Sequence, residues 1–411
     1  MTAPAGGKRR FWAPLIVGLA LLVCSCGGAP AAKTSPRPTA RPSTAAGPAP
    51  SPDRMAPLAV ISRNAPAYAV PSSAILTPAA YGDDANYDHE FSARPPVALA
   101  YNLSRVPRRE REQVLVTWFN NETAFYPPGT PGYNYYNVPE DYTIDVSDAS
   151  GQVAPPAATS SAWRTLVRVT NNQFGSGMNL IDMGGANWIR MRVTEIRGSV
   201  ENMNANFKLD IQNAAGGTAN TWLFLGDSIT AGAMGHQEPT NFPQQIDAAD
   251  PPYFPAEVNG GVPGWTSSNP LGTDPVTGKQ FLEEFLQAIP AHYVTLNFGT
   301  NDWDDPNLST FGANMAEMVK EVQAAGRVAV VPMIPWSCDS LHQQTAPTLN
   351  QEVEQLWASN SQIVHGPDFW AYFKEHSSLM SSDCIHPSTP TGMDTYRTVY
   401  GQAMASAIYG K

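Results

Sequence analysis

At 411 residues with 42% apolar side chains, the chain is long enough for two globular units, each with its own core. Seven of the 25 basic residues but only one of the 36 acidic residues fall in the first 54, so the remainder carries a formal charge of about −17. That balance repels polyanions and anionic lipid, which argues against nucleic acid as a partner and against a polyanionic substrate.

The first element is an apolar run from Phe11 to Val23, preceded by Lys8, Arg9 and Arg10 and ending at Cys24-Ser25-Cys26-Gly27. It is short for a membrane span and basic at its start, which predicts a secretory signal over residues 1–26. The small residue Ser25 before Cys26 resembles the bacterial lipoprotein box, and the resemblance implies lipidation at Cys26; Cys24 follows bulky Val23 and fits less well. Residues 27–56 are almost all Ala, Pro, Thr, Ser and Gly. Such a composition buries nothing, and about 30 residues of it reach on the order of 90 Å when extended. The expectation is an extracytoplasmic lipoprotein that meets the membrane only through its lipid anchor.

Between 57 and 215 the pattern has period two. In "NWIRMRVTEI", Ile189, Met191 and Val193 alternate with Arg190, Arg192 and Thr194; in "NFKLDIQ", Phe207, Leu209 and Ile211 alternate with Lys208, Asp210 and Gln212. Both read as half-buried strands. "EQVLVTWF", "YTIDVSD" and "RTLVRVT" add further strands between Gly, Pro and Asn turns, predicting an antiparallel β-sandwich of jelly-roll type. The tyrosine-rich stretch "FYPPGTPGYNYYNVPEDY" reads as an irregular loop, packed as a lid or able to stack on sugar rings.

From 216 to 411 strands alternate with helices. "TWLFLG", "YVTLNFG" and "VAVVPMIP" are apolar strands, with a short one near "QIVHG". The helices are "KQFLEEFLQAI" with Phe281, Phe285 and Ile289 on one stripe, "GANMAEMVKEVQAAG" with Met315, Met318 and Val322 inward, "TLNQEVEQLWASN", and a last one from Pro390 to Tyr409. This alternation predicts an α/β domain with a parallel sheet and helices on both faces, whose ligands sit beyond the carboxyl ends of the strands.

Four short blocks fall at that edge. The first strand breaks on Gly226-Asp227-Ser228, a loop carries "NGGVPGWTSSN", the second long strand ends in "GTND", and "DCIHPS" lies near the C-terminus. In this order they resemble the SGNH hydrolases, also called GDSL esterases and lipases. The resemblance covers residues 219–411 and implies a flavodoxin-like three-layer fold. It also implies Ser228 as nucleophile, His386 as its base and Asp383 as the residue orienting that base, with a Ser-His dyad as the alternative. The backbone N–H groups of Ser228 and Gly264 and the side-chain amide of Asn301 would receive the oxyanion. These residue types suit the chemistry, since serine needs a base to take its proton and a tetrahedral intermediate needs donors placed in advance. Thr230, Ala231, Gly232 and Ala233 are read as keeping the segment after Ser228 clear of the acyl group. His236, His292, His342, His365 and His376 are read as surface or packing residues lacking an Asp partner at the spacing of Asp383 and His386.

An exported chain places Cys338 and Cys384 in an oxidising compartment, where a disulfide between them would pin the catalytic turn. Trp265, Trp303 and Trp336 adjoin the blocks and are candidate sugar platforms or packing residues. No metal-ligand spacing occurs, and no cofactor is expected. The resulting expectation is a serine esterase for short acyl groups, acetyl on a polysaccharide or other acylated small molecule. The alternatives are a lipase or phospholipase-type acylhydrolase and a glycan-binding surface protein without turnover.

Overall fold

Polar residues alternate with apolar ones up to Asn213, and thereafter strands become continuous apolar runs; the architecture changes at the same point. The computed structural model describes residues 58–71, 74–76, 90–120, 137–172, 174–197, 204–234, 242, 246, 255–275, 277–304 and 306–410. The signal, Cys26, the tether, His236 and most of the tyrosine-rich stretch lie outside the described residues.

The antiparallel strands are β1 (Ala67–Val70), β2 (Ala74–Ile75), β3 (Phe91–Ala93), β4 (Val97–Asn102), β5 (Gln113–Phe119), β6 (Val138–Ser147), β7 (Arg164–Val169), β8 (Ser176–Asp182), β9 (Trp188–Arg197) and β10 (Ala205–Asn213). They form a six-stranded sheet in the order β2-β1-β4-β9-β6-β7 and a four-stranded sheet in the order β3-β10-β5-β8. Leu99, Val116, Ile144, Met191 and Phe207 fill the space between them. This is a β-sandwich.

The alternating strands depart from expectation in one respect. Lys208, Asp210 and Gln212 on β10 are buried, as are Phe207, Leu209 and Ile211. The second face of this sheet is covered because Leu115, paired across from Gln212, and Met178, in register with Thr117 beside Asp210, belong to a core shared with the α/β half. On β9, Arg190 is likewise buried rather than outward, paired with Asp145 at 2.8 Å and stacked on Trp163.

The parallel sheet contains β11 (Thr221–Gly226), β12 (Ala256–Gly261), β13 (Tyr293–Asn297), β14 (Val328–Val331) and β15 (Val364–His365), in the order β12-β11-β13-β14-β15. The helices are α1 (Ser228–Ala233), α2 (Phe281–Ala288), α3 (Asn307–Ala324), α4 (Ser340–Ser359), α5 (Phe369–Glu375) and α6 (Thr391–Ala407). Alternation along β11 separates two cores: Leu223 and Leu225 face α2, α3 and α4, while Trp222 and Phe224 face α1, α5 and α6. The result is a three-layer, flavodoxin-like arrangement.

The sequence reading names neither β4 and β8 nor α1 and α5, and two further elements differ from it. The segment read as a loop at "NGGVPGWTSSN" begins inside β12, whose Asn259, Gly260 and Gly261 have low strand propensity. It is held as a strand by pairing with β11 from Thr221↔Ala256 to Gly226↔Gly261. Helix α4 begins two turns before the predicted start, capped by Asp339, and carries Pro347 inside it. A proline lacks the interior hydrogen-bond donor, so the local pattern reads as a start just after it. On α2 the buried stripe is Leu282, Phe285, Leu286 and Ile289, with Phe281 at its margin.

Residues Pro48–Lys411 form one compact unit. Leu58, Leu115, Met178 and Ala214 from the sandwich side join Ala256, Val258, Phe285 and Leu286 in one hydrophobic core. Burying side chains such as Leu115 and Met178 stabilises that junction by about 2 kcal/mol each.

Candidate active site

β11 delivers Ser228 through a turn that only glycine permits. A Cβ on Gly226 would overlap the Thr230 hydroxyl and lie 2.7 Å from the Asn297 carbonyl. Asp227 then caps α1 by accepting the Ile229 N–H at 2.9 Å, and Ser228 is the first helical residue. Thr230, Ala231 and Ala233 are buried. Their small size lets α1 lie against β11 and β12, so packing, not clearance of a substrate, accounts for them. The Ser228 Oγ lies 2.7 Å from His386 Nε2, and His386 Nδ1 lies 2.7 Å from Asp383 Oδ2.

Asp383 and His386 belong to a tight turn. Its ends are joined by Ser381 N–H donating to His386 O at 2.8 Å and Ser388 N–H to Leu379 O at 2.7 Å. Within it, Asp383 Oδ1 accepts from Ser381 Oγ at 2.5 Å, Ile385 N–H at 2.8 Å and His386 N–H at 3.0 Å. Burial pushes the Asp383 carboxyl up, but donation from Ser381, from His386 and from Ile385 outweighs it and holds the group well below the ordinary aspartate range. An ionised Asp383 requires the proton on His386 Nδ1, which leaves Nε2 free to accept from Ser228. Cys384, at φ 65°, forms a disulfide with Cys338, and its carbonyl accepts from Cys338 N–H at 3.1 Å and Ser337 Oγ at 2.5 Å.

Gly264 and Asn301 come from the loops after β12 and β13. Gly264 has φ 80°, and nothing would crowd a Cβ there, so backbone conformation is what demands glycine. Asn301 Nδ2 donates to the Trp265 carbonyl at 2.9 Å, which ties the two loops together beside Gly264. A second tie is buried: the Asp302 carboxylate accepts from Ser267 Oγ at 2.6 Å and Ser267 N–H at 3.0 Å. Burial pushes Asp302 up to about 6 against these hydrogen bonds. Asp227, also buried, is pushed up to about 6 against its bonds with the Ile229 N–H and the Thr300 side chain.

The three tryptophans separate. Trp303 is 39% exposed. Trp265 packs on Phe281 and Phe285, and Trp336 packs against the core around α5 and α6. His342 does have an aspartate three residues earlier: its Nδ1 lies 2.9 Å from Asp339 Oδ1, while Nε2 lies 2.9 Å from the Thr300 carbonyl. The second ring nitrogen meets a backbone acceptor instead of a nucleophile, so this pair braces the loop before Asn301. Ser381, Ser267 and Thr300 were not singled out in the sequence. Only "SSDCIH", with a hydroxyl two residues before Asp383, held a local signal.

Residues 224–391 match the model of the GDSL-like lipase/acylhydrolase family. No curated protein matches the chain. Solved structures similar to it include an acetylxylan esterase from Geobacillus stearothermophilus, at 18% identity over 47% of this chain and 96% of that one, TM-score 0.36. A psychrotrophic esterase from Pseudoalteromonas sp. shares 21% identity over 46% and 97%, TM-score 0.36. A lipase/acylhydrolase from Enterococcus faecalis shares 18% over 46% and 96%, TM-score 0.35. The three-layer parallel sheet, with the Ser228 hydroxyl hydrogen-bonded to His386 at its carboxyl edge, defines the class as an α/β domain of flavodoxin-like architecture. Residues 224–391 belong to the GDSL-like lipase/acylhydrolase, or SGNH hydrolase, family, and the protein is a carboxylic ester hydrolase.

Proposed function

We propose that the protein is an exported serine esterase that removes short acyl groups, acetyl above all, from carbohydrate through an acyl-enzyme, while tethered to a membrane by lipidated Cys26. The observation that carries this reading is the relay from Ser228 Oγ to His386 Nε2 and from His386 Nδ1 to Asp383, with 2.7 Å at both steps. In the first half-reaction Ser228 Oγ bonds to the ester carbonyl carbon as its proton passes to His386 Nε2. His386 then gives that proton to the departing alkoxide, leaving an acyl-serine. Water attacks this ester, His386 takes its proton, and the proton returns to Ser228 as the carboxylic acid leaves. The developing oxyanion is received by the N–H of Ser228, the N–H of Gly264 and one N–H of the Asn301 carboxamide, whose other N–H is held by Trp265.

A carbohydrate leaving group is supported by Trp303, two residues from Asn301 and open to solvent, since a flat π-face takes the C–H groups of a sugar while its hydroxyls stay wet. Trp265 and Trp336 serve as supports for the site, given their packing. The test is hydrolysis of p-nitrophenyl acetate, a longer-chain ester and acetylated xylan by the protein without residues 1–26. Ser228→Ala should abolish turnover by several orders of magnitude with the fold intact. Near-parent turnover by that variant would reject the mechanism. Faster turnover of octanoyl than acetyl esters, with no acetate released from xylan, would favour a lipase. Export and anchoring are tested by Cys26→Ser, which should release the protein from the membrane fraction.

A further inference from the structure

We propose that the β-sandwich is part of the catalytic apparatus, its segment Phe174–Ser176 positioning both the loop of Gly264 and Asn301 and the helix that begins at Ser228. This rests on the oxyanion roles proposed above. The segment is fixed within the sandwich. Asn172 accepts the Phe174 N–H at 3.3 Å and donates its amide to the Phe174 carbonyl at 2.6 Å and the Pro139 carbonyl at 3.0 Å. The Asn120 N–H donates to the Gly175 carbonyl at 2.8 Å.

From this anchor two short chains of contact enter the α/β half. In the first, the Phe174 ring meets Phe285 of α2 with centroids 4.6 Å apart, and Phe285 meets Trp265 edge to face at 6.4 Å. Trp265 follows Gly264 directly, and its carbonyl holds the Asn301 amide. In the second, Ser176 Oγ donates to the Asn259 carbonyl at 2.9 Å. The Asn259 side chain donates in turn to the Ala231 carbonyl at 3.0 Å and to the Met234 carbonyl, at the far end of α1. Phe174 and Ser176 of the sandwich therefore brace the elements that carry all three proposed oxyanion donors. Close-packed interiors transmit displacements, so a gap left under Phe285 moves Trp265 and turns the Asn301 amide off its target. A misplacement of about 1 Å at such a donor is enough to lower turnover by up to about 10²-fold. Phe174 and Ser176 touch no substrate; they are positioning residues.

The experiment is a double-mutant cycle between Phe174 and Asn301 on ester hydrolysis, with Ile144→Val in the sandwich core as the control for mere destabilisation. Phe174→Ala should lower kcat about tenfold or more with KM changed less than about twofold, while Ile144→Val leaves kcat alone. In an Asn301→Ala background the same Phe174→Ala should add less than about threefold, because the donor it aligns is already gone. Ser176→Ala should lower kcat a few-fold. If Phe174→Ala does not fold, Phe174→Val carries the same cycle. A kcat for Phe174→Ala equal to that of Ile144→Val, or a full multiplication of the two losses, overturns the inference while leaving the esterase reading intact. Wild-type turnover by Asn301→Ala overturns the oxyanion assignment itself, and the inference with it.

Discussion

Asp383 is half exposed yet accepts four hydrogen bonds, and one of them comes from a side chain outside the Ser-His-Asp set. Removing it in Ser381→Ala leaves Oδ1 with two backbone donors. The Asp383 carboxyl should then rise toward the ordinary range, visible in its carboxyl-carbon NMR titration, and kcat should fall roughly three- to tenfold as one hydrogen bond is lost. An unmoved titration would dissociate Ser381 from the site. Asp227 and Asp302 behave oppositely. Each is raised to about 6 in the folded chain from an ordinary value of 3.8, so its contribution to stability is fully present below about 3.8 and is lost as pH rises through about 6. Asp383 has the reverse sign, its contribution being present above the ordinary aspartate value and lost on further acidification. Urea unfolding from pH 4.5 to 7 should show the Asp227 and Asp302 component, on the order of 2 kcal/mol each, and Asp302→Asn should remove about half of it. An unchanged slope in Asp302→Asn would contradict the assignment. Asp383 and His386 were legible in the sequence because they share one turn. Ser267 and Thr300 were not, since a bond across 35 or 42 residues leaves no local pattern, whereas Asp339 three residues before His342 is a local pattern that the sequence reading passed over.

At the scale of elements, the turn of Asp383 and His386 is a pinched loop between Leu379 and Ser388 that holds itself by backbone bonds and is fastened to the end of the sheet through Cys384. That residue supplies the disulfide to Cys338 and a carbonyl that accepts from Cys338 and Ser337, all between Asp383 and His386. Closing the loop of 46 residues stabilises the fold by about 4 kcal/mol in the chain-entropy account. The double substitution Cys338→Ala with Cys384→Ala should therefore lower the unfolding free energy by about that much. It should also reduce kcat more than it changes KM, because the turn keeps its shape and loses its footing. A kcat equal to the parent's, at temperatures where the variant is folded, would show that the backbone bonds alone suffice. The apolar strands β11, β13 and β14 could be read from composition, and β15 from the short apolar stretch in "QIVHG", while β12 could not. An edge strand of "AEVNGG" takes its conformation from its neighbour β11, and local propensity carries no trace of that.

For the whole molecule, the sequence divides into two patterns, and each alone describes a domain that could stand by itself. Pattern reports which faces are apolar and not what covers them, so Leu115 reads as an ordinary strand residue although, with Met178, it completes the core around α2. The polar run Lys208, Asp210, Gln212 reads as a wet face for the same reason, and it is buried. If the sandwich and the α/β half share a core, they should unfold together. Calorimetry on the protein without residues 1–56 should give one transition whose van't Hoff and calorimetric enthalpies agree, despite a length at which two are common. Met178→Ala should move that single transition down, by roughly 2–4 kcal/mol for a buried methionine truncated at a junction that cannot easily collapse. It should also lower the stability of the sandwich and the hydrolase half equally when each is followed by its own tryptophan fluorescence, through Trp118 in one and Trp222 in the other. Two separated transitions, with Met178→Ala displacing only the sandwich, would mean that the junction adds little and that each half owes its stability to its own core.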